Sequence, residues 1–191
     1  MSRPVLHVVV GSTRPGRRGG AVADWVQQLA EQHGGFDVEL VDLAESGLPA
    51  FDEANHPRLQ QYTHQHTRDW SATVARADAF VFVTPEYNHS YPGALKNALD
   101  YLAVEWADKA AGIVSYGGVS AGLRAATALK PVLASLRMIP VVEAVSIPFV
   151  AQFLDPADAF VPNAELQAGG KAMLDEIARL TGALRQLRSA A

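Results

Sequence analysis

The stretch VLHVVVGSTRPGRRGGAVADWV, residues 5–26, decides how the chain is read. Leu6 to Val10 is short, apolar and mostly β-branched, bounded by Pro4 and Gly11. That pattern predicts a strand buried on both faces. Val22, Trp25, Val26, Leu29 and Ala30 then recur at helical spacing on one face, and the predicted helix ends near Gly34 and Gly35. Between strand and helix, residues 11–20 hold three arginines and four glycines in a chain of formal net charge −4. Glycines let backbone N–H groups approach an anion, and a helix N-terminus adds partial positive charge. Ser12 can donate a hydroxyl hydrogen bond, and Arg14, Arg17 and Arg18 can neutralise a dianion.

The same alternation continues outward. Strands are expected over residues 36–41, 79–83 and 111–115, with a fifth inside 139–147. Helices are expected over roughly 64–76, 94–103 and 123–136, the last with Pro131 inside it. An interior proline should kink or restart that helix. A closing amphipathic helix puts Leu166, Met173, Ile177, Leu180, Leu184 and Leu187 on one face. Residues 44–56 read as a loop, in which Glu53 and His56 carry no pattern of their own. The order βαβαβαβαβα implies a parallel sheet with helices on both faces, in a single α/β domain spanning 1–191. Such sheets bind ligands beyond the carboxyl ends of their strands. Three unusual loops should meet there: residues 11–20, 84–93 and 116–122.

Composition narrows the function. With 49% apolar and 19% charged residues the chain reads as a soluble globular protein. The mild acidity argues against general nucleic-acid binding, which shows a basic surplus. No signal core and no membrane-length apolar run is found in the sequence, so a cytoplasmic protein without a membrane partner is expected. The chain has no cysteine, which excludes thiolate catalysis, disulfides and cysteine-ligated metal. His64 and His66 stand at i and i+2, which diverge on a helix, so no metal site is expected there.

The first loop fits neither common phosphate pattern. After Gly11 and Gly16 comes Arg17-Arg18 rather than Lys-Ser or Lys-Thr, and Gly11 is followed by Ser12-Thr13 rather than by the dinucleotide spacing. A terminal monophosphate suits it better than a pyrophosphate. The second loop carries Tyr87, Asn88, His89, Tyr91 and two prolines just past a strand end, which suits a flat heterocycle. In the third, Gly117 and Gly118 allow close backbone approach to a ligand edge. That loop also contains Gly118-Val119-Ser120-Ala121-Gly122, formally a nucleophile elbow. Elbow hydrolases place their histidine after the serine, and here every histidine precedes Ser120.

The blocks GSTRPGRRGGAVADWV, TPEYNHSYPGALKNALDYL and GIVSYGGVSAGLRA together resemble the NADPH-dependent FMN reductase family of flavodoxin-like proteins. The resemblance covers nearly the whole chain and implies a five-stranded parallel sheet in the order 2-1-3-4-5. It implies that Ser12, Arg14 and Arg17, with backbone amides up to Gly19, hold the FMN phosphate. Pro85, Glu86, Tyr87 and Asn88 would line the isoalloxazine, and Gly117 and Gly118 would meet its pyrimidine edge. Many relatives have Ser or Asn where this chain has Arg18-Gly19-Gly20. The cofactors implied are FMN and NADPH or NADH, with a small electron acceptor such as a quinone, an azo compound or free flavin, in a homodimer or homotetramer. Hydride chemistry would sit at the flavin, so no protein side chain is expected to be catalytic. A flavodoxin-type electron carrier without NAD(P)H turnover is the alternative.

Overall fold

The computed structural model describes residues 2–189; Met1, Ala190 and Ala191, the ends of the domain expected over 1–191, lie outside them. The elements alternate as expected: β1 (Val5–Val10), α1 (Gly19–His33), β2 (Asp37–Asp42), α2 (Gln65–Arg76), β3 (Ala79–Pro85), α3 (Gly93–Asp100), β4 (Ala110–Tyr116), α4 (Leu123–Ser135), β5 (Ile139–Pro140), β6 (Val145–Ile147) and α5 (Ala164–Ser189). All strand pairs are parallel, in the order β2-β1-β3-β4-β5, with β6 also on β4. This is the doubly wound, flavodoxin-like order. No helix among the described residues is long and apolar enough to cross a membrane.

The strands read as continuous apolar runs because both faces are covered. Every residue of β3 and β4 is buried. Leu6, Val8, Val81 and Val83 pack on one side against Val22, Trp25 and Val26 of α1 and Met173 and Ile177 of α5. Val9, Phe80, Phe82 and Ile113 pack on the other side against Trp70 of α2, Leu95 and Leu99 of α3, and Leu129 and Leu133 of α4. Gly112 fixes the spacing of α5. A Cβ there would lie 2.8 Å from both Ile177 Cδ1 and Met173 Sδ.

Several expectations need correction. The fifth strand is two short pieces, β5 on Ala110–Ala111 and β6 on Val114–Tyr116, separated by the exposed residues 142–144. Pro140 removes no bond to β4, because Ile139 N and Val141 N donate to Lys109 O and Ala111 O on either side of it, and its missing N–H falls on the open edge of the sheet. Pro131 does not restart α4, which runs continuously across it. That proline is exposed, so water can serve the carbonyl that loses its partner. Leu187 on α5 is exposed, because the helix outruns the sheet it covers.

Glu53 is buried in its loop and accepts from Thr63 N, Thr63 Oγ1 and His64 N at 2.7–3.1 Å. Burial opposes ionisation, yet the backbone donors of Thr63 and His64 prevail and take its pKa to about 2. His56 caps a short 3-10 turn through Arg58 N. His64 lies in extended backbone ahead of α2, so its ring does not diverge from that of His66. The rings stack at 5.1 Å with 7° between planes, and both face Asp52, at 4.0 and 3.0 Å. No group of three or more acidic or histidine side chains among the described residues is arranged to hold a metal ion.

Candidate active site

Strand register brings the three loops to one edge of the sheet. Val10 pairs with Val83, and Pro85 pairs with Tyr116, so β1, β3 and β4 finish together. Gly11 N donates to Val83 O at 2.9 Å, and Glu86 N donates to Tyr116 O at 3.2 Å. Ser12 Oγ, fully buried, lies 2.8 Å from Tyr87 Oη, so the first two loops touch through side chains.

The first loop leaves many donors open. α1 begins at Gly19 with Arg18 at its N-cap, no side-chain cap and no acidic residue in its first turn. The N–H groups of Ser12, Thr13, Gly16, Arg18, Gly19, Gly20 and Ala21 have no acceptor among the described residues. Four orphan donors are normal at a helix start; here they continue into the loop. Arg14 is exposed above them. Arg17 is held by an ion pair. Its Nη2 pairs with Asp42 at the end of β2, leaving Nε buried without a partner. Gly19 is required by its neighbour: a Cβ there would lie 2.6 Å from Tyr116 Oη. Burial of Tyr116 and the nearby Tyr87 push its phenol pKa up, against the opposing charge of Arg17. Its hydroxyl therefore remains protonated.

The second loop is a tight turn. Tyr87 N donates to Ser90 O at 2.8 Å and Ser90 N to Tyr87 O at 3.0 Å. Asn88 and His89 between them have φ of 48° and 68°. This is the two-residue hairpin geometry that favours left-handed residues, and Asn and His tolerate it better than most. Tyr87, Asn88 and His89 are exposed around the mouth, while Pro85 is buried at the base.

Glu86 has a task that the sequence does not show. Its side chain is only 7% exposed. Oε1 accepts from Arg124 Nε at 2.6 Å, and Oε2 accepts from Ser120 Oγ at 3.0 Å and Arg124 N at 3.2 Å. Partial desolvation works against ionisation, but the Arg124 and Ser120 hydrogen bonds prevail and hold the pKa below the usual carboxylate range. The carboxylate thus caps α4, which has only Gly122 at its N-cap, and ties the second loop to the third. The Ser120 hydroxyl donates to a carboxylate, which is not the arrangement of a nucleophile with its base. Gly117 N donates to Ile147 O, while Gly117 and Gly118 carbonyls accept from Val150 N and Phe149 N. Gly118 N has no acceptor among the described residues.

The donor set suits a phosphate at the α1 start and a flat ring with a polar edge between the second and third loops. The comparisons agree. Residues 4–152 match the model of a family described as NADPH-dependent FMN reductase. The chain belongs to the NADPH-dependent FMN reductase family. An NAD(P)H-dependent FMN reductase of Schizosaccharomyces pombe is 42% identical over 167 residues, covering 84% of this chain and 83% of the relative. A quinone reductase of Pseudomonas putida is 34% identical over 139 residues, covering 70% and 71%. The flavoenzyme NAD(P)H:(acceptor) oxidoreductase of Paracoccus denitrificans has the same fold, with TM-score 0.76 and 22% identity over 94% of this chain and 98% of that one. This FMN reductase family member is an FMN-dependent NAD(P)H oxidoreductase.

Sequence reasoning found the three loops and missed what joins them. Asp42, Tyr116, Ser120 and Arg124 were not singled out as partners of the phosphate and ring loops. For Tyr116 a signal exists: it is the one large polar side chain ending an otherwise small and apolar strand, directly before the paired glycines.

Proposed function

We propose that the open amides of residues 12–21, with the Ser12 hydroxyl and the Arg14 guanidinium, hold the FMN phosphate. Tyr87 and Asn88 line the isoalloxazine over Pro85, and Gly117 and Gly118 serve its pyrimidine edge through backbone groups. Glu86 acts behind that surface by fixing the second loop against the third. Arg17, turned to Asp42, supports the loop's shape and electrostatics. The observation that carries the reading is the uncapped α1 start, in a loop that bears the exposed Arg14 and touches the other two loops at Tyr87 and Tyr116.

When bound, FMN supplies the two-electron chemistry at its ring. The protein binds and orients; no side chain needs to exchange a proton with the nicotinamide. NAD(P)H and the acceptor use the same open face in turn. With a quinone, NAD(P)H, a proton and the quinone give NAD(P)+ and the hydroquinone. Azo compounds and free flavin belong to the same acceptor class. The same reading treats the chain as one FMN-binding domain working in the cytoplasm as a homodimer or homotetramer, the assembly that the resemblance implies.

An absorbance spectrum of purified protein, followed by anaerobic NADPH titration, tests this. The expected result is a flavin spectrum that NADPH bleaches and a quinone restores. Protein that is colourless, does not bind added FMN and does not oxidise NADPH with a quinone overturns it. Bound flavin that NADPH fails to bleach selects the electron-carrier alternative.

A further inference from the structure

Phe149 is out of place by every ordinary criterion. It is 48% exposed and packs into neither hydrophobic core. It stacks on no other aromatic ring among the described residues. Its backbone sits at φ 44°, ψ 51°, a left-handed conformation that a non-glycine residue adopts only when its surroundings impose it. What imposes it is the third loop. Phe149 N donates to Gly118 O at 3.1 Å, and Val150 N donates to Gly117 O at 3.2 Å. Val119, 81% exposed, directly follows Gly118, and Leu123 begins the helix after the same loop; both are exposed and outside both cores. The third loop and the residue strapped to it thus carry three uncovered apolar side chains.

We propose that Phe149 is a specificity-determining residue for the electron acceptor. It forms, with Val119 and Leu123, an apolar rim that favours flat, uncharged aromatic acceptors over compact charged ones. The inference rests on the flavin-site reading above. Strained backbone collects at functional positions, and a large exposed aromatic carried on a fixed backbone offers planar partners a face to stack on. The strap from Gly117 and Gly118 to residues 149–150 makes the rim part of the site wall. Compact anions such as ferricyanide gain nothing from it.

The test compares wild type with Phe149→Ala and Phe149→Gly, each as the FMN-loaded full chain. Menadione and ferricyanide are the acceptors. Removal of the ring raises KM for menadione by about two- to tenfold and leaves KM for ferricyanide and the FMN content unchanged. Calorimetric titration of menadione into oxidised protein, without NAD(P)H, shows the same weakening. Phe149→Gly suits the left-handed backbone, so its Tm equals or exceeds that of Phe149→Ala while its menadione KM stays raised. An unchanged menadione KM, or an equal rise for ferricyanide, overturns the proposal. So does a fall in molecular mass by light scattering, which would make the patch a contact between copies of the chain. If wild type itself binds no FMN, the flavin reading fails; if wild type turns over and the variants match it, only the role of Phe149 fails.

Discussion

Two halves of the site are built on opposite rules. The first loop is prepared by what it leaves open: seven amides without acceptors among the described residues, an uncapped helix start and an exposed arginine. The second and third loops are prepared by what they satisfy: Glu86 takes three hydrogen bonds and sews the two loops together. The difference matches the two ends of the proposed ligand. A phosphate is charged and strongly hydrated, so it must be met by as many donors as water offered. A flat ring makes few polar contacts, so its slot must already have the right width. Anion sites can be made by withholding partners; ring sites need their walls fixed in advance.

This contrast is easiest to break at the phosphate end. Arg14→Ala removes a charge-assisted contact from the open half. The expected loss is roughly 1.5–3 kcal/mol, about ten- to a hundredfold in the FMN dissociation constant, with Tm of the ligand-free protein nearly unchanged. Fluorescence titration with FMN measures it, and wild-type affinity in the variant would show that the phosphate lies elsewhere.

At the ring end the pattern should invert. Glu86→Gln keeps the size but leaves Arg124 without its counter-charge. Stability of the ligand-free protein should fall by about 1–2 kcal/mol, while FMN affinity drops only a few-fold. Parallel Tm and FMN titrations decide the matter. If Glu86→Gln weakened FMN as severely as Arg14→Ala and left Tm alone, the division between open and satisfied halves would be wrong.

A third effect sharpens the comparison because it belongs to neither half. His7 in β1 is buried, and its Nε2 lies 3.1 Å from Glu39 Oε2 without an aligned hydrogen bond. Burial dominates over the attraction of Glu39 and lowers its pKa from 6.5 to about 4. The unfolded chain therefore binds a proton that the folded chain refuses between those values. Stability contributed by neutral His7 is complete above pH 6.5 and is lost as the pH falls toward 4. The slope is at most about 1.4 kcal/mol per pH unit. Urea unfolding between pH 4.5 and 7 should show that slope in wild type and a flatter one in His7→Gln, with FMN affinity at pH 7 unchanged. An identical slope in the variant would assign the acid sensitivity to other groups.

Local patterns made most of the fold legible. Leu6 to Val10 and Ala79 to Val83 are too apolar to be anything but strands covered on both faces, and alternation with helices then leaves little choice of sheet. The loops were legible because glycine, proline and arginine in those numbers serve no packing purpose. The connections between loops were not. Glu86 and Arg124 are 38 residues apart, and only the pairing of Pro85 with Tyr116 brings them within reach. Ser120 misled for the same reason, since a G-x-S-x-G spacing says nothing about which carboxylate the hydroxyl will meet. That Asp42, at the end of β2, lies beside Arg17 is equally invisible in the sequence. The fifth strand lies where the apolar run of 139–147 puts it, but its interruption by the exposed residues 142–144 is a detail that apolar content cannot reveal.

The broken fifth strand also bears on how copies of this protein can meet. A long, flat, apolar strand at a sheet edge invites another chain to add itself. Here one edge is two fragments of two and three residues, the first ending in Pro140. The opposite edge, β2, carries Asp37, Glu39 and Asp42, each paired with an arginine. Neither edge is a template for sheet growth, so assembly must be built from helix and loop surfaces, and a crowded solution of this enzyme has little incentive to form fibres.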